Sequence, residues 1–293
     1  MIGHRTPFRD GPGSLESGQG KTLTRIRPPR GWHLANLREL WRYRELVFIL
    51  IWRDVKVRYR QTVLGIAWAV LQPVLMVAVF TIVFGRLAGL PSAGLPYPLF
   101  ALTGVLPWMF FASAVTSAAN SVVQSERLVS KIYFPRLAIP FAAVGVAAVD
   151  FAVASGVLAV LMAWYGVWPG PAIILLVPTA ILIGTAGLAF GTGLAALNIR
   201  FRDVRFVVPF LVQFWMFATP SVYMQPPADP SGPLAVLVWV NPMTGLVEAF
   251  RAACLGLPFP LIPFLVSGGV VLTLTVAATS YFRSVESDFA DII

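Results

Sequence analysis

The sequence is poor in the residues on which most enzyme and metal chemistry depends. It holds one cysteine, Cys254, and two histidines, His4 and His33. A lone cysteine excludes an internal disulfide and any cysteine-based metal cluster. Both histidines precede every long apolar run, which excludes a histidine metal site inside those runs. Charge is equally scarce: 12% of residues are Asp, Glu, Lys or Arg, where a soluble domain carries roughly a quarter. The expected spans hold a single ionisable residue, Asp150. Catalysis needs positioned acids, bases, nucleophiles or metals, so hydrolysis or group transfer by paired carboxylates finds no support.

What the chain has in abundance is apolar surface in long blocks: 57% hydrophobic residues and a mean hydropathy of +0.77. A bilayer-crossing helix needs about 20 consecutive apolar residues. Six blocks meet that need, at approximately 63–85, 97–119, 137–164, 172–197, 206–224 and 259–282. The expected fold is therefore an all-α membrane protein with six transmembrane helices. Pro73, Pro107, Pro140, Pro178, Pro209 and Pro220 lie inside these blocks. Neighbouring helices can re-satisfy the carbonyls that such prolines free.

Two expected domains follow: a disordered cytoplasmic tail over 1–31 and a single transmembrane domain over 32–293. The tail is rich in Gly, Pro, Ser and Arg and has no apolar periodicity. It also lacks the apolar stretch of a cleaved signal peptide. Gly20-Lys21-Thr22 imitates the end of a phosphate-binding P-loop, but the glycine required five positions earlier is Leu15. No strand precedes it, so a backbone cradle for phosphates is excluded, and with it a nucleotide engine within this chain.

A net charge of +9 would suit nucleic acid, but its distribution argues for a membrane. Arg127, Lys131 and Arg136 lie between spans two and three, and Arg200, Arg202 and Arg205 between spans four and five. Opposite them, the loop near 86–96 offers Arg86, the 165–171 loop no basic residue, and the 225–258 segment Arg251. Basic loops stay in the cytoplasm, so both termini are expected there, in the cytoplasmic (inner) membrane.

Residues 32–53 pattern as an amphipathic interfacial helix: Leu34, Leu37, Trp41 and Phe48 near one face, with Leu40, Val47 and Ile51 beside them, and Arg38, Arg42 and Glu45 opposite. A soluble packing helix is the rival reading. A basic collar follows, Arg53-Asp54-Val55-Lys56-Val57-Arg58-Tyr59-Arg60. The 225–258 segment holds Leu234–Val240, too short to span, then Asn241-Pro242, then Thr244–Leu257. Two short re-entrant helices on the outer side fit it better than one crossing.

Four features carry candidate function. Asp150 is a functional candidate by default, because a carboxylate in lipid is costly; a partnered structural Asp is the other reading. Phe210, Phe214 and Phe217 share one face of span five, with Trp215 and Tyr223 nearby, and Trp68 and Gln72 share a face of span one. Aromatic rings lining a pathway stack on sugar rings, and Gln72 or Gln213 can bond hydroxyls; alternatively these rings face lipid. Gly187 and Gly191 are spaced for close helix contact, within or between subunits. Finally, the loop from Ser125 to Arg136, with Glu126, Arg127, Lys131, Tyr133, Phe134 and Pro135, is too apolar to be an idle solvated loop. A short helix there plugs into a groove on a soluble partner, or the loop packs on headgroups.

At these residues the chain resembles the transmembrane subunits of ABC exporters for bacterial surface polysaccharides: O-antigen, capsule and teichoic acid. The similar stretches run from Arg58-Tyr59-Arg60-Gln61-Thr62-Val63-Leu64-Gly65 into Trp68 and Pro73. Gly104 to Phe111, Lys131 to Arg136, Arg202-Asp203, Asn241-Pro242 and Phe250-Arg251 follow in family order. They cover the chain from about residue 32 to its end; residues 1–30 look like an added tail. The resemblance implies a homodimer with two copies of a separate nucleotide-binding ATPase, which would hold the ATP and magnesium, with no cofactor in this chain. It implies a coupling helix at 125–136, a second contact at Arg202 and Asp203, and a cytoplasmic gate built from the 32–53 helix and collar (Trp41, Arg53, Arg58, Arg60). A lipid-linked glycan would pass between subunits. An exporter of small lipophilic compounds on the same fold, an ion-coupled transporter using Asp150, and a membrane-embedded transferase are the alternatives.

Overall fold

Long apolar runs with small residues at helical spacing fold here into a bundle built around one central helix. The structure is a computed structural model that describes residues 41–60, 65, 67–89, 92, 94–131, 134–201, 203–219 and 240–286. Every regular element among them is helical. In chain order these are α1 (Arg44–Arg60), α2 (Ala67–Phe80, continuing as a π-helix over Thr81–Leu87), α3 (Tyr97–Gln124) and the short α4 (Glu126–Lys131). They continue as α5 (Ala138–Tyr165), α6 (Leu176–Arg200, led in by a 3₁₀ turn at Pro171–Leu175), α7 (Val204–Phe217), α8 (Pro242–Leu255) and α9 (Leu261–Val285).

Five of the six expected spans appear as helices long and apolar enough to cross a bilayer: Ala67–Leu87, Tyr97–Gln124, Ala138–Tyr165, Pro171–Arg200 and Leu261–Val285. At 28 residues, α3 and α5 are each about 42 Å long, against a hydrocarbon thickness of about 30 Å. The expected fifth span is shorter. Among the described residues α7 has 14 residues, about 21 Å, and residues 220–239 lie outside the description. The prolines sort by position. Pro140 and Pro178 sit in the first turn of α5 and α6, where the N–H lacks an intrahelical partner anyway. Pro73, Pro107 and Pro209 are in helix interiors.

α3 is the hub, buried along most of its length from Leu99 to Val122, and it packs on α2, α5, α6, α7 and α8. Its closest approach is to α6, and glycine makes it possible. A Cβ added at Gly187 would stand 2.5 Å from the Cβ of Ala114, and one at Gly191 2.5 Å from that of Ala118. The Gly187–Gly191 pair thus serves a contact within this chain. At one end of the bundle Val47, Val122, Phe134, Ala138, Ile199 and Phe282 close the core; at the other, Leu99, Leu106, Leu158, Phe250 and Leu255 do so. We call the first the basic end, since Arg127, Arg136, Arg200, Arg205 and Arg283 lie in or beside the loops there.

The remaining surface of the long helices is apolar and exposed: Val79 and Ile82 on α2, Val160 and Trp164 on α5, Val177 and Ile181 on α6, Leu265 and Leu272 on α9. Several hydroxyls within the spans turn back on their own helix. The hydroxyls of Thr103, Thr116, Thr179 and Thr275 donate to carbonyls four residues earlier. Such back-bonding removes a polar group from lipid. A bundle with this surface and five helices of this length is a multi-pass membrane protein.

Candidate functional site

The helix expected at 32–53 is described from residue 41, and α1 absorbs the collar by running on to Arg60. Its packing face differs from the expected one. Val47 and Leu50 are buried, whereas Trp41 and Phe48 stand 71% and 66% exposed. The reason is that α1 has one protein-facing side, and its exposed side mixes Phe48, Ile49 and Trp52 with Glu45, Arg53 and Lys56. Nor does it lie across α5. Val47 and Leu50 pack with Ala138, Ile139 and Ala142, and Ile51 presses on Gly145. Farther along, Arg58 forms an ion pair with Asp150, so contacts on both helices advance in the same direction.

Asp150 stands 12 residues into α5, about 18 Å along its axis. Its Oδ2 accepts from the Arg58 guanidinium and its Oδ1 from the Tyr59 hydroxyl. Arg53 pairs with its neighbour Asp54 at 2.8 Å, and the Lys56 ammonium stands 4.9 Å from the centre of the Trp52 ring. Arg60 is exposed.

Between α1, α3 and α5 lies a crevice of about 500 Å³, with Ser125 and Leu128 among its lining toward the basic end. Arg53, Asp54 and Arg58 line it from α1. A stripe on α3 lines it from the other side: Thr116, Ser117, Asn120, Ser121 and Gln124. This polar stripe within an apolar span was legible as spacing of four along the helix, and the sequence reading passed over it.

At the basic end α4 follows α3 after the single residue Ser125, with Glu126 and Arg127 exposed. Phe134 is turned inward: it is 6% exposed and packs with Ala138 and Ile139. That anchors the segment to the bundle and leaves α4 as its outward part. The Arg136 N–H donates to Glu286 Oε1 at 3.1 Å, and the Arg136 guanidinium to the Glu286 carbonyl. Pro135 is half-buried between them. The segment is thus tied to the end of α9. Asp203 is exposed at the start of α7. Tyr133, Arg202 and Tyr223 lie outside the described residues, and of Lys131 only the backbone is described.

The aromatic positions divide in two. Phe206, Phe210, Phe214 and Phe217 form an exposed stripe on α7, opposite the buried Val208, Val212 and Met216. Trp68 and Gln72 are exposed on α2. Trp215, by contrast, is a core residue. Its ring centroid lies 4.8 Å from Phe190, 5.2 Å from Phe111 and 6.2 Å from Trp108. Its indole N–H donates to Asn241 Oδ1 at 3.1 Å. That same oxygen accepts from the Met243 N–H at 3.1 Å and caps α8, while Asn241 Nδ2 donates to Thr219 at 2.9 Å. Asn241-Pro242 is therefore a joint between the end of α7 and the start of α8. Pro242 to Leu255 is buried almost throughout, and Arg251 stacks 4.1 Å above the Phe100 ring.

Among the described residues no three His, Cys, Asp or Glu side chains gather to hold a metal ion. The described features are instead an exposed short helix at the basic end, a charged tie at mid-span, and an exposed aromatic stripe. The sequence pattern of the ABC-2 type transporter family matches residues 45–255, and the chain belongs to that family.

Relatives extend the match almost end to end. The chain is 31% identical over 261 residues to the O-antigen export system permease protein RfbA of Myxococcus xanthus, covering 88% of this chain and 98% of that one. It is 26% identical over 253 residues to a protein of the same name from Klebsiella pneumoniae, covering 85% and 95%. A second Klebsiella pneumoniae protein of that name is 25% identical over 253 residues.

Proposed function

We propose that this chain is the membrane subunit of an ATP-driven exporter that moves a lipid-linked polysaccharide of the O-antigen type across the cytoplasmic membrane. The observation that carries the reading is the similarity to the Myxococcus xanthus O-antigen export permease over 88% of this chain and 98% of that one, within a family of ABC-2 transporters. The finer architecture belongs to the same reading. Six spans cross the bilayer, with α7 as the fifth, and both termini are cytoplasmic because the basic end faces inward. α1 is the cytoplasmic gate, and α8 belongs to a re-entrant pair on the outer side.

The chain works as a homodimer with two copies of a separate ATPase, which binds ATP and magnesium. Glu126, Arg127, Lys131 and Tyr133, on and just after α4, meet that ATPase, and Arg202 and Asp203 form a second contact. Phe134, Pro135 and Arg136 hold the segment on the bundle, so that movement of α4 is passed to α5 and α9. The exposed stripe of Phe210, Phe214 and Phe217, with Trp68, Gln72 and Tyr223, lines the glycan's path between subunits. Arrays of aromatic faces suit a polymer that must slide, since stacking on apolar sugar faces tolerates many registers.

Purification of the tagged chain from its native membrane in mild detergent, followed by mass spectrometry, tests the reading. A nucleotide-binding subunit in near-equal amount is expected. Recovery of the chain alone, unaffected by Arg127→Ala, would contradict it.

A further inference from the structure

The exporter reading assigns α1 to a gate but says nothing of what holds it, and Asp150 answers that question. Asp150 is the one acidic side chain in the five long spans described. A carboxylate at that depth is costly unless paired. Its partners both come from α1, 91 and 92 positions earlier in the chain: Tyr59 on Oδ1 and Arg58 on Oδ2. The buried apolar anchors of α1, Val47 and Leu50, lie in its first half. Beyond them Lys56, Val57 and Arg60 are exposed. The second half of the helix is thus fixed against α5 through this carboxylate.

We propose that Asp150 is the positioning residue of the cytoplasmic gate: it holds Arg58 and Tyr59 at mid-span, fixes the far half of α1 along α5, and keeps the crevice between α1, α3 and α5 open. Both carboxylate oxygens are needed as acceptors. An asparagine keeps one acceptor for Arg58 but removes the negative charge, and toward Tyr59 its amide can only donate, so the charge-assisted hold on both partners is lost. The crevice explains how an ion pair survives at this depth. Arg58 lines the crevice that the polar stripe of α3 lines from the other side, so the Arg58 end of the pair borders that space instead of lipid. A role in taking up cargo or an ion directly predicts something different, because Asp150 would then act without regard to where α1 sits.

The test uses the full chain with its partner ATPase in proteoliposomes. Spin labels are attached at Lys56→Cys on α1 and Phe141→Cys on α5, both exposed positions. Cys254 is buried and away from the reagent. The parent should give one narrow distance distribution. Asp150→Asn and Arg58→Gln should each add a second, displaced population and lower export roughly tenfold or more, the scale of one charge-assisted hydrogen bond. The double variant should be no worse than either single one, and Asp150→Glu should recover the narrow distribution. Tyr59→Phe, which removes one bond and is the milder change, should shift the distribution in the same direction. A lower export rate with an unchanged distribution in Asp150→Asn would overturn the proposal, as would additive losses in the double variant. An unchanged Tyr59→Phe distribution would overturn it even where Asp150→Asn fails to accumulate. Should the parent itself export nothing, the exporter reading fails, while the distance distributions still decide whether Asp150 positions α1.

Discussion

Gly187→Ala is a one-carbon change whose cost the packing of α3 on α6 allows to be worked out. The new Cβ would stand 2.5 Å from the Cβ of Ala114, while the next nearest atoms, the Ala114 Cα and carbonyl carbon, lie at 3.6 and 3.7 Å. Carbon atoms prefer about 3.5–4.0 Å, so the two helices must part by about 1 Å or shear. Overpacking on that scale costs about 1–3 kcal/mol. One neighbouring atom causes the whole clash, so Ala114→Gly should cancel it: the double variant should unfold in detergent at a temperature close to that of Ala114→Gly alone. The corresponding change at Gly191 is a built-in contrast. There the added Cβ meets the Ala118 Cβ at 2.5 Å but also the Val115 carbonyl oxygen at 3.2 Å, so Ala118→Gly should relieve only part of the loss. Thermal unfolding of the two double-mutant cycles gives the coupling energies directly. Equal rescue at both positions, or a neutral Gly187→Ala, would refute the packing argument.

The other predictions separate residues that hold the bundle from residues that serve transport. Asn241→Ala removes the cap of α8 and the acceptor for Trp215 together, and should destabilise the chain by about 1–2 kcal/mol or more; Trp215→Phe, which loses the indole bond and part of the ring packing, should cost about 1–3 kcal/mol. Phe214→Ala, at an exposed site, should leave detergent unfolding within about 0.5 kcal/mol of the parent and yet slow glycan export measured on the cell surface. Glu286→Ala takes one acceptor from Arg136 but leaves the backbone carbonyl that holds its guanidinium. ATPase co-purification should then persist while export per ATP hydrolysed falls.

Much of the fold was readable because lipid imposes a coarse rule: five of the six expected runs are long helices, with ends that differ by a few residues. The rule says nothing about which apolar face meets protein. Trp41 and Phe48 matched Val47 in hydrophobicity, and only the position of α5 decides that Val47 is covered and they are not. The partner of Asp150 was hidden for a similar reason. Arg58 and Tyr59 read as part of a basic collar outside the membrane, and nothing local says that α1 runs beside α5 far enough to bring them to mid-span. Trp215 shared a helix with the phenylalanine stripe, yet α7 turns it to the core. Gly187 and Gly191 announced close contact from spacing alone; their partners, Ala114 and Ala118, needed the structure.

The central claim is that this chain passes a lipid-linked polysaccharide across the membrane using energy from a separate ATPase. The most direct measurement follows the glycan in cells depleted of the chain and complemented with the parent or with Arg127→Ala. The account predicts that glycan builds up on the cytoplasmic side during depletion, returns to the surface with the parent, and stays inside with Arg127→Ala. Normal surface glycan throughout depletion would contradict it.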